Sequence, residues 1–125
     1  MSAFNRNLQK LFDTAQKTER LIIGLMSGTS LDGLDIALCR FIGSGFSTTF
    51  ELLHFTTISY PEDFKDDIRQ IFAKRQADME KLCLLNAKIG THHAELVLQA
   101  LNSWGVLPDD IDVIASHGQT IYHAP

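Results

Sequence analysis

Hydrophobic and polar positions along the chain follow two different periods, and the change of period marks the elements. Leu21-Ile22-Ile23 is a short apolar run of the kind a buried strand carries. Leu34, Ile36 and Leu38 alternate with Asp35, Ala37 and Cys39, the two-residue period of a second strand. Between them lies the polar stretch Ser27-Gly28-Thr29-Ser30-Leu31-Asp32-Gly33, so Leu21 to Phe41 reads as strand, glycine-bearing turn, strand. After a turn at Ile42-Gly43-Ser44-Gly45, the Thr, Phe and Leu content of Phe46 to Ser59 predicts a third strand. Strands joined by turns this short make an antiparallel meander.

The period then lengthens. Ser59-Tyr60-Pro61-Glu62 has the Ser-x-x-Glu form of a capping box, with Pro in the first turn. It predicts a helix to about Arg75, with Phe64, Ile68, Ile71 and Phe72 inward and Lys65, Asp66 and Arg69 outward. Leu82, Leu85, Ile89, His93, Leu96 and Ala100 recur at three- and four-residue steps and predict a longer helix from about Asp78 to Trp104, ended by Gly105 and Pro108. Ile111 to Ala115 is a fourth strand candidate, which the right-handed crossover rule returns parallel to a strand of the meander. Ahead of all this, Leu8, Leu11, Phe12 and Ala15 space an amphipathic helix within a leader of residues 1–19.

Composition sets the outer bounds. A chain of 125 residues is one domain's worth, and 45% hydrophobic with 21% charged residues is ordinary for a soluble protein. Eleven basic against fifteen acidic residues leave a net charge of −4, which argues against a surface built for nucleic acid or an anionic membrane. No apolar run approaches the about 20 residues of a membrane helix. Arg6, Lys10, Lys17 and Arg20 are interrupted by Asp13 and Glu19 and precede no secretory apolar core, so a cytoplasmic protein is expected. Cys39 and Cys83 have no metal-like spacing; two reduced, buried thiols are expected, with a disulfide between them left open.

The polar turn is the first candidate for chemistry. Its two glycines permit a tight turn whose amides converge, its three hydroxyls add donors, and Asp32 adds a carboxylate. Donors beside a carboxylate suit nucleotide phosphates and their Mg²⁺. The same residues are also the default turn formers, so a hairpin serving the turn alone stays open. The stretch is not a Walker A loop, lacking the Gly-Lys-Ser/Thr ending, nor a nucleophile elbow, since Gly24-Leu25-Met26-Ser27-Gly28 is not Gly-x-Ser-x-Gly. Elsewhere the signals are structural. His92 and His93 diverge by about 100° on a helix and cannot easily share a metal, giving one exposed and one packed histidine. His54 reads as structural, and no histidine or cysteine metal site is expected. Glu62, Asp63, Asp66 and Asp67 favour a helix N-terminus and form a solvated face.

The order of residues is more specific than their composition. Met26 to Leu38, MSGTSLDGLDIAL, closely resembles the N-terminal signature of the anhydro-N-acetylmuramic acid kinases. Ser116 to Pro125, SHGQTIYHAP, is similar to the same family's second motif, His-Gly-Gln-Thr followed by His-x-Pro. The resemblance covers about Arg20 to Pro125 and only the start of the family's sequence. It implies the N-terminal part of an ATP-binding sugar-kinase lobe over residues 20–125, truncated at its C-terminus, with the leader as a departure. The fold implied is the α/β, RNase H-like lobe of the actin, sugar kinase and heat-shock ATPase superfamily: a three-stranded antiparallel meander, helices and a parallel strand. Taken alone, that order of elements fits many α/β folds.

The resemblance also implies an activity, the ATP-dependent phosphorylation of 1,6-anhydro-N-acetylmuramic acid with hydrolytic opening of the anhydro ring. The product is N-acetylmuramic acid 6-phosphate, in the recycling of cell-wall peptidoglycan sugars. Carried over by position, Gly28, Thr29, Ser30, Leu31, Asp32, Gly33, Leu34 and Asp35 line or support the ATP phosphates, with Mg²⁺ at Asp32 and a structural role for Asp35 left open. His117, Gln119 and Thr120 face the amino sugar, against the alternative of a strand end whose histidine caps carbonyls; His123 shapes the same side. The catalytic base falls beyond Pro125, so no catalytic residue is expected here and the isolated chain is expected to be inactive. A homodimer is kept open. Two rival readings remain: a non-catalytic nucleotide- or sugar-binding regulatory module, and a kinase of the same fold acting on another sugar.

Overall fold

Residues 5–125 are described by a computed structural model. Strands β1 (Glu19–Ser27), β2 (Gly33–Ile42) and β3 (Thr49–Ser59) form an antiparallel meander, and β4 (Val113–Gln119) pairs parallel with β1. The sheet order is β3-β2-β1-β4. Helices α1 (Arg6–Gln16), α2 (Glu62–Arg69) and α3 (Met79–Trp104) complete the α/β architecture. The meander with its parallel fourth strand is the arrangement that the hydrophobic periods and the crossover rule require.

The two-residue period decides which sheet face is covered. Leu34, Ile36 and Leu38 of β2 and Ile23 of β1 are all but completely buried. They pack with Phe64 and Ile68 of α2 and Leu85, Leu96, Val97 and Ala100 of α3 in one apolar cluster. Each aliphatic side chain removed from such a cluster costs about 2–5 kcal/mol. The opposite face carries Gly24, Ala37, Phe55 and Ala115 in one row across the four strands. Phe55 there is well exposed.

Helix ends follow local chemistry. The Asp78 carboxylate accepts from the Lys81 amide at 3.2 Å to open α3, and Gly105, left-handed at φ 68°, closes it. Asn5 caps α1 through the amides of Asn7 and Leu8. Arg20 then ties the end of α1 to the sheet, its guanidinium donating to the carbonyls of Thr14 (2.8 Å), Ala15 (2.8 Å) and Gly43 (3.2 Å). The apolar side chains Leu8, Leu11 and Phe12 remain exposed.

Several expectations are corrected. The third strand begins at Thr49, because Gly45–Ser47 forms a 3-10 turn. There is no capping box: Ser59 stays in β3, and Pro61 takes the N-cap of α2 without a side-chain bond. That helix stops at Arg69 instead of about Arg75, and the following turn reaches Ala73, which is left-handed at φ 59° and donates its amide to Ile121 O at 2.7 Å. Cys39 and Cys83 are both free, and Cys83 is exposed instead of buried. The acidic face of α2 is solvated as expected and carries ion pairs, Glu62 with Lys65 and Arg69, Asp66 with Arg69, and Asp67 with Lys88 of α3. In keeping with its structural reading, His54 stacks on Trp104, with ring centroids 5.0 Å apart.

Candidate functional site

The C-terminal ends of β1 and β4, the parallel pair, lie at the same edge of the sheet, where open α/β sheets gather ligands. Residues Gly28 to Asp32 cross this edge as the turn between β1 and β2. Among the described residues, the amides of Gly28, Thr29, Ser30, Leu31 and Asp32 have no protein acceptor. Amides without a protein partner are left to water or a ligand. Thr29, Ser30 and Asp32 are exposed around them.

The turn is shaped differently from what its glycines suggest. Neither Gly28 nor Gly33 is left-handed; Leu31 is, at φ 57°, with its side chain anchored in the core. A left-handed residue within a turn makes successive N–H groups converge, the geometry of an anion-binding nest. Gly33 is needed for a different reason, because a Cβ there would stand 2.2 Å from the Ile58 carbonyl oxygen. A Cβ on Gly28 would meet nothing within 4 Å. Open space and free amides therefore coincide at Gly28.

A bulge in β4 separates the residues of the second motif. Leu25 pairs with Ser116 and Ser27 with Gln119, so Met26 alone faces both His117 and Gly118. Gly118 is left-handed at φ 73°. An extra residue reverses the alternation of faces. His117 stays on the open face, where it lines a hollow of about 550 Å³ with Gly24, Met26, Asp35, Ala37 and Phe55. Gln119 turns to the helix-bearing side. Strand β4 runs through this segment, so His117 lies within the strand and not beyond its exit.

Behind the turn lies a buried polar cluster. Ser27 Oγ is 2.6 Å from Tyr60 Oη, which is 2.7 Å from His93 Nε2, and Ser27 also donates to Gln119 Oε1. Gln119 Nε2 in turn donates to Gly28 O (3.0 Å) and Thr120 O (2.9 Å). Thr120 holds Ser27 O with both its amide and its hydroxyl, at 3.3 and 3.2 Å. The Tyr60 amide donates to Asp32 O at 3.0 Å, closing the far side of the turn. Burial pushes the Tyr60 hydroxyl above its ordinary pKa, the Ser27 bond opposes this, and the Asp35 charge adds to the rise. Burial, with help from His92 and His117, lowers His93, which is therefore neutral near pH 7.

The expected phosphate-side residues thus fall into groups. Gly28, Thr29, Ser30 and Asp32 present amides, hydroxyls and a carboxylate outward, whereas Leu31 and Leu34 are buried supports and Gly33 allows close approach of β3. Asp35 accepts from Thr57 Oγ1 at 2.6 Å and faces the hollow with His117. Gln119 and Thr120 are brought against the turn itself, away from His117. Tyr60, His93 and Ser27 were not among the expected site residues. The signal available for His93 was its place on the apolar stripe of α3; Tyr60 carries no comparable signal.

A nucleotide and Mg²⁺ fit this donor set. The free amides and hydroxyls suit phosphate oxygens, and Mg²⁺ commonly takes one or two carboxylates with its remaining positions filled by water and phosphate. Asp32 can be that carboxylate. Among the described residues no group of three or more His, Cys, Asp or Glu is placed to hold a metal alone.

Comparison with known proteins adds a second line. Residues 20–125 match the family described as anhydro-N-acetylmuramic acid kinase. A protein of that name from Pseudoalteromonas translucida (strain TAC 125) is 56% identical over 119 residues, 95% of this chain and 30% of the relative. One from Pseudoalteromonas atlantica (strain T6c / ATCC BAA-1087) is 52% identical over 121 residues, 97% of this chain and 30% of the relative. One from Caldanaerobacter subterraneus subsp. tengcongensis is 43% identical over 118 residues, 94% of this chain and 30% of the relative. The chain thus spans about 30% of the length of these relatives.

Proposed function

The chain belongs to the anhydro-N-acetylmuramic acid kinase family, and on that footing we propose that it supplies the ATP-phosphate turn and part of the sugar site of such a kinase. The reaction is transfer of the ATP γ-phosphoryl group to 1,6-anhydro-N-acetylmuramic acid, with water opening the anhydro bridge to give N-acetylmuramic acid 6-phosphate. The observation that carries this reading is the run of unanswered amides from Gly28 to Asp32 beside open space at Gly28.

In this reading the amides of Gly28 to Asp32 and the hydroxyls of Thr29 and Ser30 bind and orient the phosphates. Asp32 holds Mg²⁺ directly or through its waters. When bound, the ion offsets the charge on the transferring group. The β4 end, with His117, Gln119 and Thr120, forms the sugar side of the cleft, and His117 shares its hollow with the Asp35 carboxylate. The base that activates water is assigned to the part of the relatives that this chain does not span. The setting we infer is cytoplasmic cell-wall sugar recycling; among the described residues no helix is long and apolar enough to cross a membrane.

The test is to incubate the natural gene product with Mg-ATP and 1,6-anhydro-N-acetylmuramic acid and weigh the sugar. The expected product has gained one phosphate and one water. An unchanged sugar, from folded protein that binds ATP, would overturn the assignment of substrate.

A further inference from the structure

The geometry points to a positioning role for Tyr60 and His93: a hydrogen-bond relay of fixed direction runs from α3 through the core to the Gly28 carbonyl and holds the phosphate turn in its binding shape. The inference rests on the phosphate-binding reading of that turn.

The direction follows from counting protons. Gln119 uses both Nε2 hydrogens on the carbonyls of Gly28 and Thr120, so its Oε1 can only accept. Ser27 gives Oε1 its single hydroxyl hydrogen. The 2.6 Å approach of Tyr60 Oη to Ser27 Oγ then requires the tyrosine to donate to the serine, because two lone pairs would repel at that distance. With its one hydrogen spent, Tyr60 Oη can meet His93 Nε2 at 2.7 Å only as an acceptor. His93 must carry its proton on Nε2. The order is His93 to Tyr60 to Ser27 to Gln119 to Gly28; the longer 3.3 Å approach of Tyr60 to Gln119 Oε1 competes for the hydrogen that the 2.6 Å contact with Ser27 takes.

This relay joins elements far apart in the chain at one small volume. Ser27 and Tyr60 are almost wholly buried and His93 nearly so, which makes each unmet partner costly. The groups around His93 are compatible with a neutral ring: Tyr60 from the β3–α2 connection, His92 on its own helix, and His117 from β4, the last two disfavouring a second proton. Both polar side-chain atoms of Gln119, Oε1 and Nε2, are engaged within the protein. On the sugar side of the cleft Gln119 therefore acts as a positioning residue that aims Gly28.

Two measurements on the natural gene product test this. The first is the ¹⁵N spectrum of histidine-labelled protein near pH 7, in which His93 should show the Nε2–H tautomer; an Nδ1–H signature would overturn the relay. The second is the Kd for Mg-ATP, by calorimetry, of Tyr60→Phe, His93→Leu and His93→Gln. Tyr60→Phe and His93→Leu should weaken binding about tenfold, while His93→Gln, whose amide can still donate to Tyr60, should recover most of it. Glutamine no better than leucine, in variants shown to be folded, would overturn the positioning role. Wild-type protein that fails to bind Mg-ATP would instead refute the phosphate-binding reading, and the tautomer would still decide the relay.

Discussion

The two ends of one sheet treat their polar groups in opposite ways. At the end where β1 begins, the chain answers its own needs. Arg20 donates to three carbonyls, and Asp112 accepts from Lys17 and from the Leu21 amide at 2.9 Å. At the end where β1 and β4 finish, a buried hydrogen-bonded relay supports a turn whose amides have no acceptor among the described residues. An unfinished set of donors on a finished support is what a ligand site needs, because the donors must keep their shape before the ligand arrives. On the proposed reading, the contrast puts ligand binding at the Gly28 turn and structural support at the Arg20 end.

Breaking each end should have different consequences. The largest effect is expected from Gly33→Ala, where the new Cβ would meet the Ile58 carbonyl at 2.2 Å. Loss of about 3 kcal/mol of stability should appear as a lower urea midpoint. Arg20→Ala should cost about 2 kcal/mol by freeing the end of α1, with Mg-ATP affinity unchanged. Gly28→Ala should do the converse. Its Cβ meets nothing in the protein, so the urea midpoint should hold while the Kd for Mg-ATP rises about tenfold, or about 1.4 kcal/mol.

The smallest effect concerns pH. Burial raises the Asp112 carboxyl, but Lys17 and the Leu21 amide outweigh it and hold the group below its ordinary value of 3.8. A depressed carboxyl contributes stability above the unfolded pKa and loses it as pH falls through the folded one. Asp112→Asn should therefore lower Tm slightly at pH 7, by the equivalent of under about 1 kcal/mol, with the difference fading below about pH 4. A difference that grew on acidification would contradict the pairing.

Much of this was legible in the letters. The two-residue period gave Leu34, Ile36 and Leu38 their inward face, and Asp78 with Gly105 bounded α3 correctly, because those signals depend on local chemistry. The failures are non-local or compete with a better local solution. Ser59 and Glu62 had capping-box spacing, yet Ser59 was already committed to the β3 ladder. The turn's left-handed residue was Leu31 and not a glycine, since core burial of its side chain compensates a strained φ. The bulge at Gly118 placed His117 and Gln119 on opposite faces, where simple alternation would have kept them together. The relay of His93, Tyr60, Ser27 and Gln119 joins residues that only the fold brings within reach, so no spacing rule could announce it.

The most direct test of the contrast is an amide NMR titration of the natural gene product with Mg-ATP. The account predicts shifts concentrated at Gly28 to Asp32, with the amides of Lys17 to Leu21 and Gly43 unmoved. Shifts centred on the Arg20 end, or an unperturbed Gly28 turn in protein that binds the nucleotide, would contradict it.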